Sequence, residues 1–498
     1  MHGKALGSKK KKAHKIIKRG SMKSLGKNSV FNVIYTCANI LFPLITSMYV
    51  ARILMESGVG RVAYAQNIAS YFTTFAALGL PTYGVRKIAQ CRDNQVELNR
   101  TFSELFLINM ITTTVSCVAY IIVVVTIDNS MMTVPLAIAS GLAVFFNYLN
   151  IDWLYQGEEE YTYITLRSIA VKIVSFVLVV LFVKSASDYV FYALIVSMAT
   201  GGNYIFNVFH ARSFVSLTFS DVHLQKHIKP LIVFACNIFL VSVYSKIDIT
   251  MLGSMSTDTT VGLYSYAYKI TYLLTTVCTS VTAILFPRII YQYHNSRDEF
   301  LKLLSVGQRS VFFLCVPMVA AVVLMAPNII STLFGSAFIP AASILRIFAP
   351  LIIIKSIGDL LGFQLMVATE NEQKITIAYA ISAVSNILMN TLLIPRFNGN
   401  GAAIASITSE LIANAYQIIL MKKQVSYKIE WKALIQSIIS ALLACMIAMI
   451  STMYITNSIL CLVLSVLIGA SVYLIANIAF RNAFLLMLLN KANDIIHR

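Results

Sequence analysis

About fourteen hydrophobic stretches, each long enough to cross a bilayer, follow one another with short connections almost to the C-terminus. A helix needs about 20 mostly apolar residues to span the hydrocarbon. The stretches fall approximately at 29–51, 61–82, 104–127, 132–155, 163–183, 188–208, 229–252, 262–286, 309–327, 342–368, 375–395, 401–421, 433–455 and 458–480. With 58% apolar and 12% charged residues and a mean hydropathy of +0.76, a soluble globular fold is excluded. No series of alternating ten-residue segments occurs, which argues against a membrane β-barrel. The pattern predicts an all-α integral membrane protein, a polytopic bundle of about 14 transmembrane helices.

Lys and Arg concentrate in loops that stay in the cytoplasm. The N-terminal tail is strongly basic (Lys9 to Lys12, Lys15, Lys18, Arg19, Lys23, Lys27). Placing it inside also places Arg86, Lys87, Arg92, Arg100, Arg212, Lys226, Arg288, Arg297, Lys302, Lys422, Lys423 and the C-terminal tail inside, and leaves Arg52, Arg61, Lys184 and Arg396 outside. Both termini are therefore expected in the cytoplasm. The net charge of +18 is explained by this topology and by attraction to anionic lipid, so no nucleic-acid partner is inferred. Met22 opens a stretch that already reads as the start of a membrane protein, so residues 1–21 have the look of an extension. No cleavable signal peptide is evident, because the first apolar segment is a full-length span.

Cysteine and histidine add little. Seven of the eight cysteines fall singly inside predicted spans, and Cys91 lies in a loop, without metal or disulfide spacing. His223 and His227 stand four apart near Asp221 and invite a metal reading, but a polar connection without a third ligand is the better one. No metal is expected.

The chain also carries an internal repeat. VGRVAYAQNIASY (Val59 to Tyr71) matches VGLYSYAYKITYL (Val261 to Leu273) at a constant offset, with Arg86 and Arg288 keeping it at the far end. GEEEYTYIT (Gly157 to Thr165) corresponds to TENEQKIT (Thr369 to Thr376). These pairs predict two six-helix lobes at 29–208 and 229–421, joined by a linker at 209–228. Spans 13 and 14 (422–480) are appended, with tails at 1–28 and 481–498. Six is even, so the lobes should be related by an axis along the membrane normal.

Polar residues at helical spacing inside a span mark faces turned to protein or water. The first span shows Asn32, Tyr35, Thr36, Asn39, Pro43, Thr46 and Ser47; the seventh Asn237, Tyr244 and Asp248; the eighth Tyr264, Ser265, Tyr268, Lys269, Tyr272 and Thr275. A cavity lined by the first two helices of each lobe is the simplest geometry, with Asn32, Asn39, Tyr64, Asn237 and Tyr268 as polar lining. The ionisable candidates are Lys172, Lys246, Asp248, Lys269, Arg346, Lys355, Asp359 and Glu410. Arg346 and Lys246 read equally as snorkelling groups near span ends. Lys355 and Asp359, four apart, read as a neutralising pair. Lys172 and Lys269 have no acid four residues away, and basic groups in a wet cavity imply an anionic substrate group such as phosphate or pyrophosphate. Asp248, Asp359 and Glu410 are candidates for a coupling proton or cation, with structural hydrogen bonding as the alternative. For Asn386 and Asn390, interhelical packing outweighs ligand binding.

The segments NVIYTCANILFPLITSMYVARIL, GVGRVAYAQNIASYF, NIDWLYQGEEEYTYIT, VGLYSYAYKI, LFGSAFIPAASILRIFAP and SNILMNTLLIPRFNGNGAAIASITSE together resemble the Wzx-type oligosaccharide flippases, within the broader family of multidrug, oligosaccharidyl-lipid and polysaccharide exporters. The resemblance runs over residues 22–480. It implies translocation of an undecaprenyl-pyrophosphate-linked sugar repeat unit by alternating access in a bacterial cytoplasmic membrane, through a cationic cavity, with no bond made or broken. It needs no cofactor beyond a proton or sodium gradient or the membrane potential. Its partners would be the lipid-linked oligosaccharide, membrane lipids, a polysaccharide polymerase and a chain-length regulator. The expected substrate-binding set is Lys269, Lys172, Arg52, Arg86, Arg288 and Lys355. Arg52, Arg86 and Arg288 stand near membrane surfaces, where topology alone is an alternative explanation. Arg61 departs from the pattern, since relatives more often carry an aliphatic or aromatic residue there.

Three rival functions remain open on sequence. An ion-coupled multidrug exporter of the same fold would favour acids over bases in the cavity. A polymerase, ligase or acyltransferase of the envelope pathway would want a long outer loop or a central His, and neither is present in the predicted spans. A peptidoglycan-precursor flippase would need nearly the same cavity chemistry.

Overall fold

The computed structural model describes residues 25–126, 130–218, 222–453, 455 and 457–496, and describes side chains outside 25–40, 237, 458 and 491–496. The expected lining residues Asn32, Asn39 and Asn237 thus lie outside the described side chains. All regular structure among the described residues is helical, as expected where every backbone group must be bonded within its own segment. The helices are α1 (Leu25–Ala77), α2 (Leu80–Cys91), α3 (Gln95–Thr126), α4 (Val134–Phe145), α5 (Asp152–Gly157), α6 (Tyr161–Phe182), α7 (Tyr189–Ala211), α8 (Gln225–Met255), α9 (Asp258–Asn295), α10 (Arg297–Phe334), α11 (Ala341–Gly358), α12 (Leu365–Ala368), α13 (Glu372–Gln424), α14 (Trp431–Thr452), α15 (Ser458–Ala479) and α16 (Ala483–Ile496). Nine of those among the described residues are long and apolar enough to cross a membrane: α3, α6 to α10, α13, α14 and α15. Many of their apolar side chains face outward, as a lipid-facing surface requires.

Several connections differ from the sequence expectation. The first two spans share the 53 residues of α1, broken only at Met55 (φ 56°, ψ −176°), and spans 11 and 12 share α13, broken at Asn398 (φ 49°, ψ −129°). Asn tolerates a positive φ because its short amide bonds locally; an unbranched Met there is strained. The stretch 132–155 is not one helix. Its helical course leaves α4 through a 3₁₀ turn at Phe146–Leu149, and α5 is separate, with Trp153, Leu154 and Tyr155 buried. In span 10 a π-helical turn, Asp359–Gln364, joins α11 to α12.

One group of helices packs α1 with α3, α4, α6 and α7; another packs α8, α9, α10, α11 and α13 together; α14 and α15 pair and lean on α10. The groups meet chiefly where α1 runs along α8 and α9. At the end of that seam the repeat-equivalent glycines explain the match: a Cβ on Gly60 would collide with the Asp258 carbonyl, and one on Gly262 with the Glu56 carbonyl. Only glycine admits two backbones this close. Beside them Arg61 Nε pairs with Asp258 Oδ2 at 2.9 Å, and Ser57 Oγ donates to the same oxygen at 2.9 Å. Arg52 Nη2 donates to the Thr332 carbonyl (2.8 Å) and Ser256 Oγ to Asn398 Oδ1 (3.0 Å). This end is sealed. Overpacking costs about 1–3 kcal/mol, so Gly262→Leu should shift the closed population roughly five- to a hundredfold. Disulfide cross-linking of a Ser57→Cys/Asp258→Cys pair should form readily in the parent and drop accordingly when Gly262→Leu is added.

Candidate functional site

Midway through the bundle α8 carries polar groups on more than one face, which a 3.6-residue period allows when successive groups sit two and four apart. Toward α1, Asn67 Nδ2 donates to the Lys246 carbonyl (3.2 Å) and Thr250 Oγ1 (2.8 Å), and the Tyr71 hydroxyl lies 3.1 Å from the same Oγ1. Toward α9, α11 and α13 it presents Tyr244 and Asp248, four residues apart. α8 thereby stands as a wall between two cavities.

The first cavity, about 420 Å³, is enclosed by α1, α2, α4, α7 and α8. Hydroxyls of Ser70, Thr73, Thr74, Ser140, Ser197 and Thr200 line it with Gln66, and Lys246 is the sole charged residue in its lining among the described residues. Gln66 Nε2 and Ser140 Oγ are buried there without a hydrogen-bond partner.

The second cavity, about 370 Å³, is lined by Tyr244, Thr275, Thr279, Lys355, Asp359, Phe363, Tyr379, Glu410, Asn414 and Gln417, among others. Lys355 Nζ lies 3.3 Å from Glu410 Oε2 and donates to the Tyr244 hydroxyl at 3.2 Å, while that hydroxyl donates to Glu410. The expected Lys355–Asp359 pair does not form. The π turn beginning at Asp359 shifts the helical phase, and the Asp359 carboxylate instead accepts from Gln364 Nε2 (2.7 Å) and Thr282 Oγ1 (3.2 Å).

A narrow extension, lined by Tyr268, Ser406 and Ser409 as well as Tyr244, Lys355 and Glu410, reaches Asp248. Asp248 is 8% exposed, and its carboxylate accepts four hydrogen bonds: Asn386 Nδ2 (3.0 Å) and Asn390 Nδ2 (2.7 Å) at Oδ1, Ser406 Oγ (2.6 Å) and Tyr264 Oη (2.7 Å) at Oδ2. Four donors offset the desolvation of a buried charge whose partners are all neutral. Asn386 and Asn390 thus join α13 to α8, the interhelical role expected of them, through hydrogen bonds. The Asn390 Oδ1 atom is buried without a partner.

Of the expected cationic set, Lys355 lines the second cavity and the others stand elsewhere. Lys269 lies on the α1–α9 seam, its Nζ 2.6 Å from Ser47 Oγ and 4.9 Å from the Tyr266 ring centroid. Lys172 is half-buried on α6 and lines neither cavity. Arg52 is exposed at the sealed end, and Arg86 and Arg288 are exposed at the opposite end, Arg288 in a surface groove with Tyr291 and Glu299. Among the expected lining residues Tyr268 reaches the cavity extension, whereas Tyr64 is 2% exposed and packed against Gly253. Lys246, which on sequence reads equally as a cavity group or a snorkelling one, lines the first cavity. Its signal was the pair of polar neighbours at i−2 and i+2, which only a helix wet on opposite sides accommodates. Arg346 is exposed, its Nε donating to the Val323 carbonyl at 3.0 Å.

His227 is no metal ligand candidate: its Nε2 meets Glu104 Oε2 at 2.9 Å and its Nδ1 the Tyr83 hydroxyl at 2.7 Å, while Lys226 Nζ and the His223 backbone N–H also reach Glu104. Among the described residues no group of three His, Cys, Asp or Glu is placed to hold a metal.

The chain is similar to the "Putative O-antigen transporter" of Escherichia coli K12, 20% identical over 402 residues that cover 80% of this chain and 97% of that protein. It is also similar to the "Probable low-salt glycan biosynthesis flippase Agl15" of Haloferax volcanii, 26% identical over 46% of this chain and 49% of that protein. Among solved structures, the lipid II flippase MurJ in an inward closed conformation superposes with a TM-score of 0.74 at 14% identity, covering 91% of this chain and 99% of that one. An inward-facing multidrug resistance MATE family transporter of the MOP superfamily gives 0.63 at 15% identity, covering 78% and 94%. The fold is shared with both. With residues 25–291, more than half its length, matching the family described as polysaccharide biosynthesis protein, the chain belongs to that family.

Proposed function

We propose that this multi-pass membrane protein is a flippase that moves undecaprenyl-pyrophosphate-linked oligosaccharide repeat units across the cytoplasmic membrane of a bacterium by alternating access, for cell-surface polysaccharide synthesis. The observation that carries the reading is the first cavity. A single ammonium, Lys246, and a wall of hydroxyls with the amide of Gln66 form the donor set that an anionic diphosphate would satisfy. The lipid tail stays in the bilayer while the headgroup crosses, and one group of helices rocks against the other. In this orientation the basic N-terminal tail, Arg86 and Arg288 face the cytoplasm, both termini are inside, and the Gly60–Gly262 seal is the outer gate. A polymerase and a chain-length regulator would receive the unit on the far side.

Asp248 is the candidate for ion coupling, ahead of Asp359 and Glu410. One carboxylate, the hydroxyls of Ser406 and Tyr264, and the orphan Asn390 Oδ1 make an oxygen-rich set that suits a hard monovalent cation or a proton. A gradient of either, or the membrane potential, would then bias the two states.

Purified protein in liposomes with a fluorescent undecaprenyl-pyrophosphate oligosaccharide, scored by the fraction open to an external modifying enzyme, tests the reading. Transfer should depend on the protein. Loss of a charge-assisted hydrogen bond of about 1.5–3 kcal/mol should slow Lys246→Ala roughly ten- to a hundredfold, with Lys246→Arg retaining more. If drug efflux under an ion gradient is seen in these vesicles and no lipid transfer, the multidrug reading takes its place. In the same vesicles an imposed sodium or proton gradient should accelerate the parent protein, and Asp248→Asn should abolish that acceleration; equal acceleration in both would remove Asp248 from coupling.

A further inference from the structure

The two cavities differ in formal charge. Lys246 makes the first +1. In the second, Lys355 is cancelled by Glu410 at 3.3 Å, and Asp359 is left with two neutral donors, Gln364 and Thr282. Apart from the narrow extension that reaches Asp248, its lining carries no other charged residue among those described, so the formal charge of the main chamber is −1. The rest of that lining is suited to polyhydroxylated rings. Tyr244 and Tyr379 stack at a centroid distance of 5.8 Å, and Phe363 adds another apolar face. Asn414 and Gln417, each under a tenth exposed, line it as amides. They are brought there by Gly358 and Gly362, where a Cβ would strike their amide ends. Its volume of about 370 Å³ falls in the range of roughly 300–1,000 Å³ typical of small-ligand sites.

We infer that the second cavity is a saccharide subsite that accepts uncharged sugars and rejects acidic ones. The inference rests on the flippase reading and divides the substrate along its length: diphosphate against Lys246 on one side of α8, and a sugar beyond the first, far enough along the chain to pass around a helix about 10 Å across, against Tyr244, Asp359, Asn414 and Gln417. Carboxylates and amides recognise vicinal hydroxyls by accepting their hydrogen bonds. A uronate carboxylate would find that acceptor set already negative, and repulsion of this kind is how a site discriminates against a close analogue. At an effective dielectric of about 20, a like charge several ångströms away lowers affinity by roughly tenfold or more.

The experiment compares two synthetic fluorescent polyprenyl-diphosphate oligosaccharide glycosides in proteoliposomes, identical but for the terminal residue, N-acetylglucosamine in one and glucuronic acid in the other. The parent protein should transfer the neutral glycoside roughly tenfold faster or more. Asp359→Asn, which brings the cavity to zero, should raise the acidic-to-neutral ratio several-fold, and Lys355→Gln, which brings it to −2, should lower it. Equal transfer of both glycosides by the parent protein overturns the inference while leaving the flippase reading intact, as does a ratio that neither substitution moves in correctly inserted protein. Transfer of neither glycoside, with the diphosphate common to both, defeats the flippase reading and this inference with it. The parent ratio decides the matter if a variant fails to accumulate.

Discussion

In hydrocarbon a polar group must be satisfied by protein or by enclosed water, and α8 is the element on which this demand falls from several sides at once. Its backbone and hydroxyls hold Asn67 and Tyr71 of α1, its Asp248 is held by α9 and α13, and its Lys246 looks the other way. A helix of this kind cannot face lipid broadly at that level. It has to stand inside the protein, and the two cavities on either side follow from its position.

The spans were legible because bilayer thickness fixes their length and composition almost independently of tertiary detail. The repeat was legible for a different reason. Gly60 and Gly262 match because the two backbones touch there, and no other residue type fits. What could not be read was the rotation of each helix about its own axis. Lys269 and Lys246 look alike in sequence, both basic within apolar runs, yet one spans the seam to Ser47 and the other enters a cavity. Likewise the Lys355–Asp359 spacing promised a pair under a 3.6-residue period, and the π turn, for which the local sequence carries no clear mark, sends each to a different partner.

Arg52, Arg86 and Arg288 were expected near the substrate because they sit in segments resembling a flippase family, but a shared segment fixes a place along the membrane normal, not a direction within the bundle. Asn386 and Asn390 are the opposite case: amides four apart on one helix are expected to join helices rather than bind a ligand, and they do so by bridging α13 to α8 as half of the donor set that makes a charged Asp248 tolerable.

The sealed end is held by two kinds of contact. The glycine approach is a matter of shape and is indifferent to the medium. The Arg61–Asp258 pair is partly exposed, at 33% and 21% of the respective side chains, and ions screen such a pair over about 10 Å at 0.1 M ionic strength. The closure is therefore part mechanical and part electrostatic, and its second component answers to the salt content of the surrounding fluid: a saline medium loosens the clasp, a dilute one tightens it, while the steric fit beneath stays the same.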